Sequence, residues 1–217
     1  MDCKITFNPK GSYTKLFTGS LAFLVKTARF KGNLGEFFVN FNIARQLDKE
    51  AYHLIKNVTL PAGDGTTQVD HVIASKYGIF VLETKNMKGW IFGSAHQKMW
   101  TQKIYKYTGK FQNPLHQNYK HTQVLASLLR LNEEQVFSVI VFTGECTLKT
   151  EMPENVTMGQ GFIHYIQSKK QVLFTDDEVQ KLTRRIEAIR LPPSRQTNRD
   201  HVNHVKTIVA KNNKNNY

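Results

Sequence analysis

Apolar residues in the N-terminal half change from helical to strand-like spacing. Over residues 34–47 they recur every three or four positions, which predicts a helix with one face in the core. That face comprises Leu34, Phe37, Phe38, Phe41, Ala44 and Leu47. Residues 52–60 then predict a strand, and two β-branched runs at 66–75 and 78–85 predict a β-hairpin.

The chain beyond residue 88 combines short strands with two further helices. Residues 89–93 and 98–107 predict two strands. A helix should begin at Asn113-Pro114, because proline is accommodated in a first helical turn, and end near Asn132. Residues 136–142 are almost continuously apolar, as in a strand covered on both faces. A capping box at 175–178 begins the last helix, with apolar residues at Val179, Leu182, Ile186 and Ile189.

This order of elements predicts an α/β fold, with helices on both sides of a mixed sheet. The pattern extends over residues 32–191. Residues 1–31 precede it as an N-terminal arm, and residues 192–217 follow it as a polar, basic tail. We therefore expect one domain between two appendages.

The charge of the chain indicates a polyanionic partner. Its 217 residues include 30 Lys and Arg against 17 Asp and Glu, a net charge of +13 with a pI near 9.7. A hydrophobic content of 40% excludes wholesale disorder. Lysine and arginine side chains bind phosphates with release of condensed counterions. Charge alone does not distinguish a nucleic acid from a membrane surface.

The N-terminal segment 16–30 carries the membrane alternative. Its apolar run is shorter than the roughly 20 residues of a bilayer crossing, and it lacks the features of a secretory signal. Packing on the core is the favoured interpretation, and membrane association stays a second choice. Two cysteines, Cys3 and Cys146, are too few for a disulfide framework, so we expect a reducing compartment, the cytoplasm.

The predicted hairpin brings charged side chains together. With a tight turn and no bulge, Asp70 lies opposite Glu83. Side chains two residues apart share a face of a strand, so Lys85 joins Glu83, and Gln68 lies opposite Lys85. Opposed carboxylates destabilise a strand pair, so a compensating cation is expected.

Two interpretations of this cluster are open. Mg²⁺ accepts one or two carboxylates and bridges to a substrate phosphate, so it could polarise a phosphodiester and activate a water. Lys85 would then position that water or stabilise developing charge. The alternative is a surface salt bridge in which Lys85 neutralises Glu83. The apolar residues around the cluster predict a covered hairpin, which favours the metal.

The same residues match a known pattern. Asp70 followed by Glu83-Thr84-Lys85, with Glu36 on the preceding helix, resembles the signature of the PD-(D/E)XK nuclease superfamily. Longer motifs over residues 32–131 are similar to its nuclease-related domain (NERD) family: Gly32-Asn33-Leu34-Gly35-Glu36, Gln68-Val69-Asp70-His71-Val72, Gly78-Ile79-Phe80-Val81-Leu82-Glu83-Thr84-Lys85-Asn86, Gly89, Trp100-Thr101-Gln102 and Asn113-Pro114-Leu115-His116-Gln117-Asn118. The resemblance implies a restriction-endonuclease-like fold, a mixed β-sheet core flanked by helices.

The resemblance also implies roles for individual residues. Asp70 and Glu83 would bind the metal together with the backbone carbonyl of Thr84, and Lys85 would be the catalytic lysine. Glu36 takes the family's acidic position on the first helix. Its alternative is an acid favoured by the helix macrodipole. Mg²⁺ is the expected cofactor, with Mn²⁺ as a substitute.

Further polar and aromatic residues are accessory candidates. Gln117 and His121 share a helix face and could approach a phosphate or the reacting water, although such a pair is also typical of an ordinary polar stripe. Gln68 is a third accessory candidate. Trp90 and Trp100 could stack on bases, although aromatic residues in strands more often fill the core.

Together these features predict a metal-dependent nuclease that hydrolyses DNA through a metal-activated water, in DNA processing or defence. The alternative is a non-catalytic DNA-binding or assembly module with a vestigial acidic site, and RNA is a third choice of substrate. A homodimer would suit cleavage of both strands. The sequence contains no Walker-type loop, so any helicase activity must belong to a partner.

Overall fold

The computed structural model describes residues 34–63 and 65–192, together with 194, 197, 202–203 and 207. The predicted N-terminal arm, including Cys3 and segment 16–30, lies outside these residues, as does most of the basic tail. No helix among the described residues is long and apolar enough to cross a bilayer.

Strands and helices follow one another as an α/β protein requires. The first half contains helix α1 (34–46) and strands β1 (Tyr52–Ala62), β2 (Gly65–Ser75), β3 (Gly78–Asn86), β4 (Gly89–Phe92), β5 (Met99–Ile104) and β6 (Tyr107–Gln112). The second half contains helix α2 (Pro114–Leu129), a short 3-10 helix (Glu133–Gln135), strands β7 (Val136–Thr143), β8 (Cys146–Leu148) and β9 (Val156–Met158), and helices α3 (Gly161–Ser168) and α4 (Asp176–Ile189).

The larger sheet has the strand order β1-β2-β3-β7-β9. Its first three strands are antiparallel, and β3, β7 and β9 are parallel, so the sheet is mixed as predicted. The β2–β3 hairpin pairs Ser75 with Gly78 and continues to His71 with Leu82. This is the register expected for a tight turn.

The smaller sheet has the order β6-β5-β4-β8. Strands β3 and β7 are parallel neighbours in the larger sheet. The strands that follow them in the chain, β4 and β8, are parallel neighbours in the smaller sheet, so the two sheets are connected twice. The connection after β7 requires Gly144, whose φ of 82° lies in the left-handed region. A Cβ there would lie 2.5 Å from Asn86 Oδ1 and 2.6 Å from the Met87 carbonyl oxygen.

Helices cover both faces of the larger sheet. Helices α2 and α4 pack on one face, where Val72 and Val81 meet Leu125 and Ile186. Helices α1 and α3 pack on the other, in a cluster that includes Ile43, Phe80, Val139 and Ile163. Burial of these apolar side chains is the main stabilising contribution to such a layered fold. The predicted α/β class, a mixed sheet flanked by helices, is confirmed.

The predicted core face of α1 is wrong. Most of it, including Leu34, Phe37 and Phe41, is exposed, with Phe37 at 68%. The buried stripe is Gly35, Val39, Ile43 and Leu47. Gly35 explains the choice, because a Cβ there would lie 2.9 Å from Thr143 Oγ1, so this face approaches the sheet most closely. The helix is apolar on two faces, and only contact with the sheet selects one.

Several element boundaries also differ from the prediction. The single strand predicted at 98–107 is a hairpin of β5 and β6, with Tyr105 in a left-handed conformation at its turn (φ 52°). Helix α2 ends at Leu129 because Arg130 is left-handed (φ 58°), three residues before Asn132. Strands β8 and β9 and helix α3 were not predicted, because each is too short to show a clear periodicity.

Candidate active site

Three predicted site residues, Asp70, Glu83 and Thr84, lie close together where strands β2 and β3 separate. The last ladder pair is His71 with Leu82, so Asp70 and Glu83 are the next residues on their strands but do not pair. In place of a ladder bond, the backbone N–H of Thr84 donates to Asp70 Oδ2 at 2.8 Å. The Asp70 carboxylate is therefore held by the backbone of β3, in the gap between the two strands.

Strand β2 changes the direction of its side chains at this point. Val69 and Val72 pack in the same core although they are three positions apart. Opposite Asp70, the ladder with β1 skips Asn57, whose φ is 52°. Thr67 and Val69 both point towards α2, so Gln68 lies on the opposite face. The prediction that Gln68 faces Lys85 is therefore wrong, because it assumed unbroken alternation.

Glu83, Lys85 and Gln117 form a closed triangle of hydrogen bonds. Lys85 Nζ donates to Glu83 Oε1 at 2.6 Å and to Gln117 Oε1 at 2.9 Å. Gln117 Nε2 donates to the same Glu83 oxygen at 2.8 Å. The ion pair of the alternative interpretation is thus present, but it is not a surface pair, since Glu83 is only 4% exposed. Helix α2 supplies Gln117 because it packs over this end of β3.

His121, one turn further along α2, lies on the other side of Glu83. Its Nε2 is 3.5 Å from Glu83 Oε2, too long for a strong hydrogen bond. Its Nδ1 is 2.6 Å from Thr67 Oγ1. Thr67 was not predicted as a site residue, because strict alternation along β2 places its side chain on the face away from Asp70. The one signal was Asn57, because asparagine within a strand often marks a left-handed residue and hence an irregular strand pair.

The pKa values of Asp70 and Glu83 are shifted in opposite directions. Burial raises the pKa of Asp70 to about 7, with further increases from the charges of Glu83 and Glu36 that outweigh the Thr84 amide and Lys85. Burial alone would also raise the pKa of Glu83. There, however, the proximity of His121 and the charge and hydrogen bond of Lys85 prevail, and the pKa of Glu83 is lowered. A proton taken up by the pair near neutral pH therefore resides on Asp70.

Glu36 completes the acidic side of the site from α1. Its carboxylate is close enough for its charge to raise the pKa of Asp70. Partial burial raises the pKa of Glu36 as well. Carboxyl groups from α1, β2 and β3 thus influence one another electrostatically, with Lys85 as the cation in contact with Glu83.

The oxygen-bearing side chains of this site meet only some of the requirements of a hard cation such as Mg²⁺. Among the described residues, no group of three or more His, Cys, Asp or Glu side chains is arranged to hold a metal ion. Mg²⁺, however, needs only one or two protein carboxylates and completes its shell with water. The buried Asp70 carboxylate lies near the charges of Glu83 and Glu36, and a bound cation would offset both its burial and this repulsion. Glu83 Oε1 already accepts from Lys85 and Gln117, which leaves Oε2, 3.5 Å from His121 Nε2, as the oxygen that a cation would approach.

Comparison with known proteins supports the resemblance seen in the motifs. An uncharacterized protein of Bacillus anthracis is 38% identical over 164 residues, which cover 71% of this chain and 74% of the relative. No solved structure gives a significant match. The nuclease-related domain family matches residues 31–143, a range that contains Glu36, Asp70, Glu83 and Lys85. The chain therefore belongs to the nuclease-related domain (NERD) family.

Proposed function

We propose that this protein is a Mg²⁺-dependent nuclease of the PD-(D/E)XK type that hydrolyses DNA phosphodiester bonds, in DNA processing or defence. The observation that carries the proposal is the convergence of Asp70, Glu83 and Lys85 where β2 and β3 separate. Membership of the nuclease-related domain family supports the same reaction class. The net charge of +13 suits a phosphate backbone as substrate.

Asp70 and Glu83 would hold the cation, together with the adjacent backbone of Thr84. When bound, Mg²⁺ supplies positive charge that polarises the phosphodiester and lowers the pKa of a water molecule. Mn²⁺, which also takes oxygen ligands, would substitute. Asp70 must lose its proton first, and the backbone N–H of Thr84 favours its ionised form.

Lys85 would act on the reacting groups directly. Its ammonium donates to Glu83 and Gln117, so its position is defined by two acceptors. Its side chain keeps 22% of its surface exposed, which leaves a side open to a substrate phosphate or the attacking water. A lysine in this place stabilises the negative charge that develops on the phosphate. Gln117 and His121 are positioning residues, because they act through Lys85 and Glu83.

Cleavage assays test the proposal. Purified protein is incubated with single-stranded, duplex and branched DNA, and with single-stranded RNA, under titration with Mg²⁺ or Mn²⁺. We expect metal-dependent cleavage of DNA that Asp70→Asn and Lys85→Met each abolish. Asp177→Asn is the matched control, since Asp177 is an exposed acid on α4 paired with Lys181. Circular dichroism of each variant verifies folding.

A second function has one observation in its favour. The Glu83 carboxylate is already neutralised by Lys85 and bonded by Gln117, as in a purely structural ion pair. This arrangement suits a DNA-binding or assembly module without catalysis. Such a module would bind DNA with strong salt dependence yet leave every substrate uncut. Full cleavage by both the Asp70→Asn and the Lys85→Met variant would instead reject the proposed site altogether.

A further inference from the structure

Basic residues are concentrated in one continuous part of the chain. Residues 84–132 contain no Asp or Glu. They contain eight basic residues: Lys85, Lys88, Lys98, Lys103, Lys106, Lys110, Lys120 and Arg130. This part of the chain forms β4, β5, β6 and α2. Strands β5 and β6 carry Lys103 and Lys110 and contain no Asp or Glu, and Lys88, just before β4, is paired with Glu145.

The smaller sheet has one buried and one open face. Ile91 and Trp100 are fully buried in a cluster on the inner face. Because side chains alternate along a strand, Trp90 belongs to the outer face. It lies opposite Lys103 of β5 on one side and Thr147 of β8 on the other, and all three are exposed. The outer face thus presents an indole ring among lysine and threonine side chains.

Aromatic rings on this sheet are paired with lysines. Trp90 is 48% exposed, and Lys149 Nζ lies 4.7 Å from its ring centroid. At the β5–β6 turn the exposed Tyr105 has Lys106 Nζ 5.7 Å from its ring centroid. A nucleotide offers the complementary pair, a flat base next to a phosphate. Stacking on the ring and contact with the ammonium can therefore be made by one nucleotide.

We infer that the outer face of the β6-β5-β4-β8 sheet, centred on Trp90, binds nucleic acid through unpaired bases. The inference rests on the proposed function for its choice of nucleic acid among polyanions, and it names the substrate class: DNA with a single-stranded segment. In a duplex the flat faces of the bases are stacked on one another, so the exposed indole would have no partner. Lysines alone would suffice for a duplex backbone.

The surface is close enough to serve the candidate active site. Trp90 follows Lys85 by five residues, across the two-residue connection between β3 and β4. An extended chain of that length spans at most about 18 Å. The Cα atoms of Trp90 and Lys85 are therefore no more than about 18 Å apart.

Metal-free binding assays separate this inference from catalysis. Full-length protein in EDTA is titrated into three fluorescently labelled probes of equal length and charge per strand: an oligothymidine, its duplex with oligoadenine, and an abasic oligodeoxyribose phosphate. We expect the oligothymidine to bind about tenfold more tightly than the abasic probe, since stacking contributes about 1–3 kcal/mol per base. Equal affinity for the abasic probe would overturn the inference.

Trp90→Ala should weaken oligothymidine binding about tenfold and leave abasic binding unchanged, whereas Trp90→Phe should retain most of the affinity. Phe41→Ala is the matched control, because the exposure of Phe41 (53%) is similar to that of Trp90 (48%) but Phe41 lies on α1. Trp100 is buried, so quenching of tryptophan fluorescence by oligothymidine reports on Trp90. If Trp90→Ala does not change oligothymidine binding, the inference is overturned. It is also overturned if polyglutamate of the same charge displaces oligothymidine equally well, because an acidic protein would then be the better partner.

The two proposals fail in different ways. A protein that discriminates bases from abasic sites but cuts no substrate contradicts the nuclease proposal alone. A protein that cuts DNA but binds the abasic probe as tightly as oligothymidine contradicts the stacking surface alone.

Discussion

The backbone N–H of Thr84 donates a hydrogen bond of 2.8 Å to Asp70 Oδ2, where the β2–β3 ladder ends. This contact places a carboxylate of one strand against the backbone of the next strand, within reach of the charges of Glu83 and Glu36. The hydrogen bond from Thr84 lowers the pKa of Asp70, but burial and these like charges raise it by more. Asp70 therefore combines a fixed position with a raised pKa, and both properties can be measured.

Asp70→Asn should stabilise the metal-free protein at alkaline pH. The folded pKa of Asp70, about 7, lies above its ordinary value of 3.8, so the folded state holds the proton more tightly than the unfolded state. The contribution of Asp70 to stability is thus complete at low pH and is lost as pH rises towards 7. Asparagine keeps an acceptor for Thr84 without the charge. We expect Tm to rise by about 4 °C at pH 8 and by much less at pH 5.

Thermal unfolding in EDTA at both pH values measures this difference. Asp177→Asn serves as control, because Asp177 is exposed and its pKa is lowered by Lys181. A Tm difference between wild type and Asp70→Asn that does not change with pH would contradict the raised pKa.

Mg²⁺ should stabilise the wild-type protein and not the Asp70→Asn variant. A ligand at one hundred times its Kd adds about 2.7 kcal/mol to the free energy of unfolding, or roughly 5–10 °C in Tm. Because protons compete with the cation for Asp70, the shift should be larger at pH 8 than at pH 6. Differential scanning fluorimetry under Mg²⁺ titration measures it. An equal shift in both proteins would show that the cation binds elsewhere.

Lys85→Met should reduce cleavage by about 100-fold or more, because the charge next to the reacting phosphate is lost. It should also lower the free energy of unfolding by about 1–3 kcal/mol at pH 8, since Glu83 then stays buried without its cation. Lys181→Met removes a lysine from an exposed ion pair and should leave the free energy of unfolding almost unchanged, because solvent screens such a pair. Similar unfolding energies for both variants would contradict the importance of the Glu83 contact.

Thr67→Val should release His121 from its fixed orientation. The substitution keeps the side-chain shape and removes the hydroxyl that lies 2.6 Å from His121 Nδ1. A buried polar atom left without a partner lowers the free energy of unfolding by about 1–3 kcal/mol. Thr67→Ser keeps the hydroxyl and should restore most of this loss. Chemical denaturation measures stability, and ¹⁵N NMR of the His121 ring detects the change in its environment; an unchanged ring spectrum in Thr67→Val would contradict the contact.

Gly144→Ala should destabilise the protein more than Gly159→Ala. Both glycines are left-handed, with φ of 82° and 54°. A Cβ at Gly144 would meet Asn86 Oδ1 and the Met87 carbonyl, whereas nothing lies within 4 Å of a Cβ at Gly159. We expect about 1 kcal/mol at Gly159 from backbone strain alone and at least about twice that at Gly144. Equal losses in chemical denaturation would show that the connection from β7 to β8 can adjust.

Local patterns predicted most of the larger sheet and the last helix correctly. The β2–β3 register follows from a tight turn, and the Thr175 capping box begins α4 as expected. The predicted face of α1 and the position of Gln68 were wrong for a common reason. Periodicity describes the faces of one element. It does not show which neighbouring element will cover a face, as the sheet covers the face of α1 that carries Gly35. It also does not show where an irregular residue such as Asn57 interrupts the alternation of side chains.

The sequence by itself determined the family, the α/β class, and the candidate residues Asp70, Glu83 and Lys85, because family motifs and strand spacing are properties of the chain. The tertiary structure decided which groups join them. Packing of α2 on the sheet brings Gln117 and His121 to Glu83, and the change of side-chain direction along β2 adds Thr67. Such contacts join residues distant in the chain, so their geometry depends on how the layers pack.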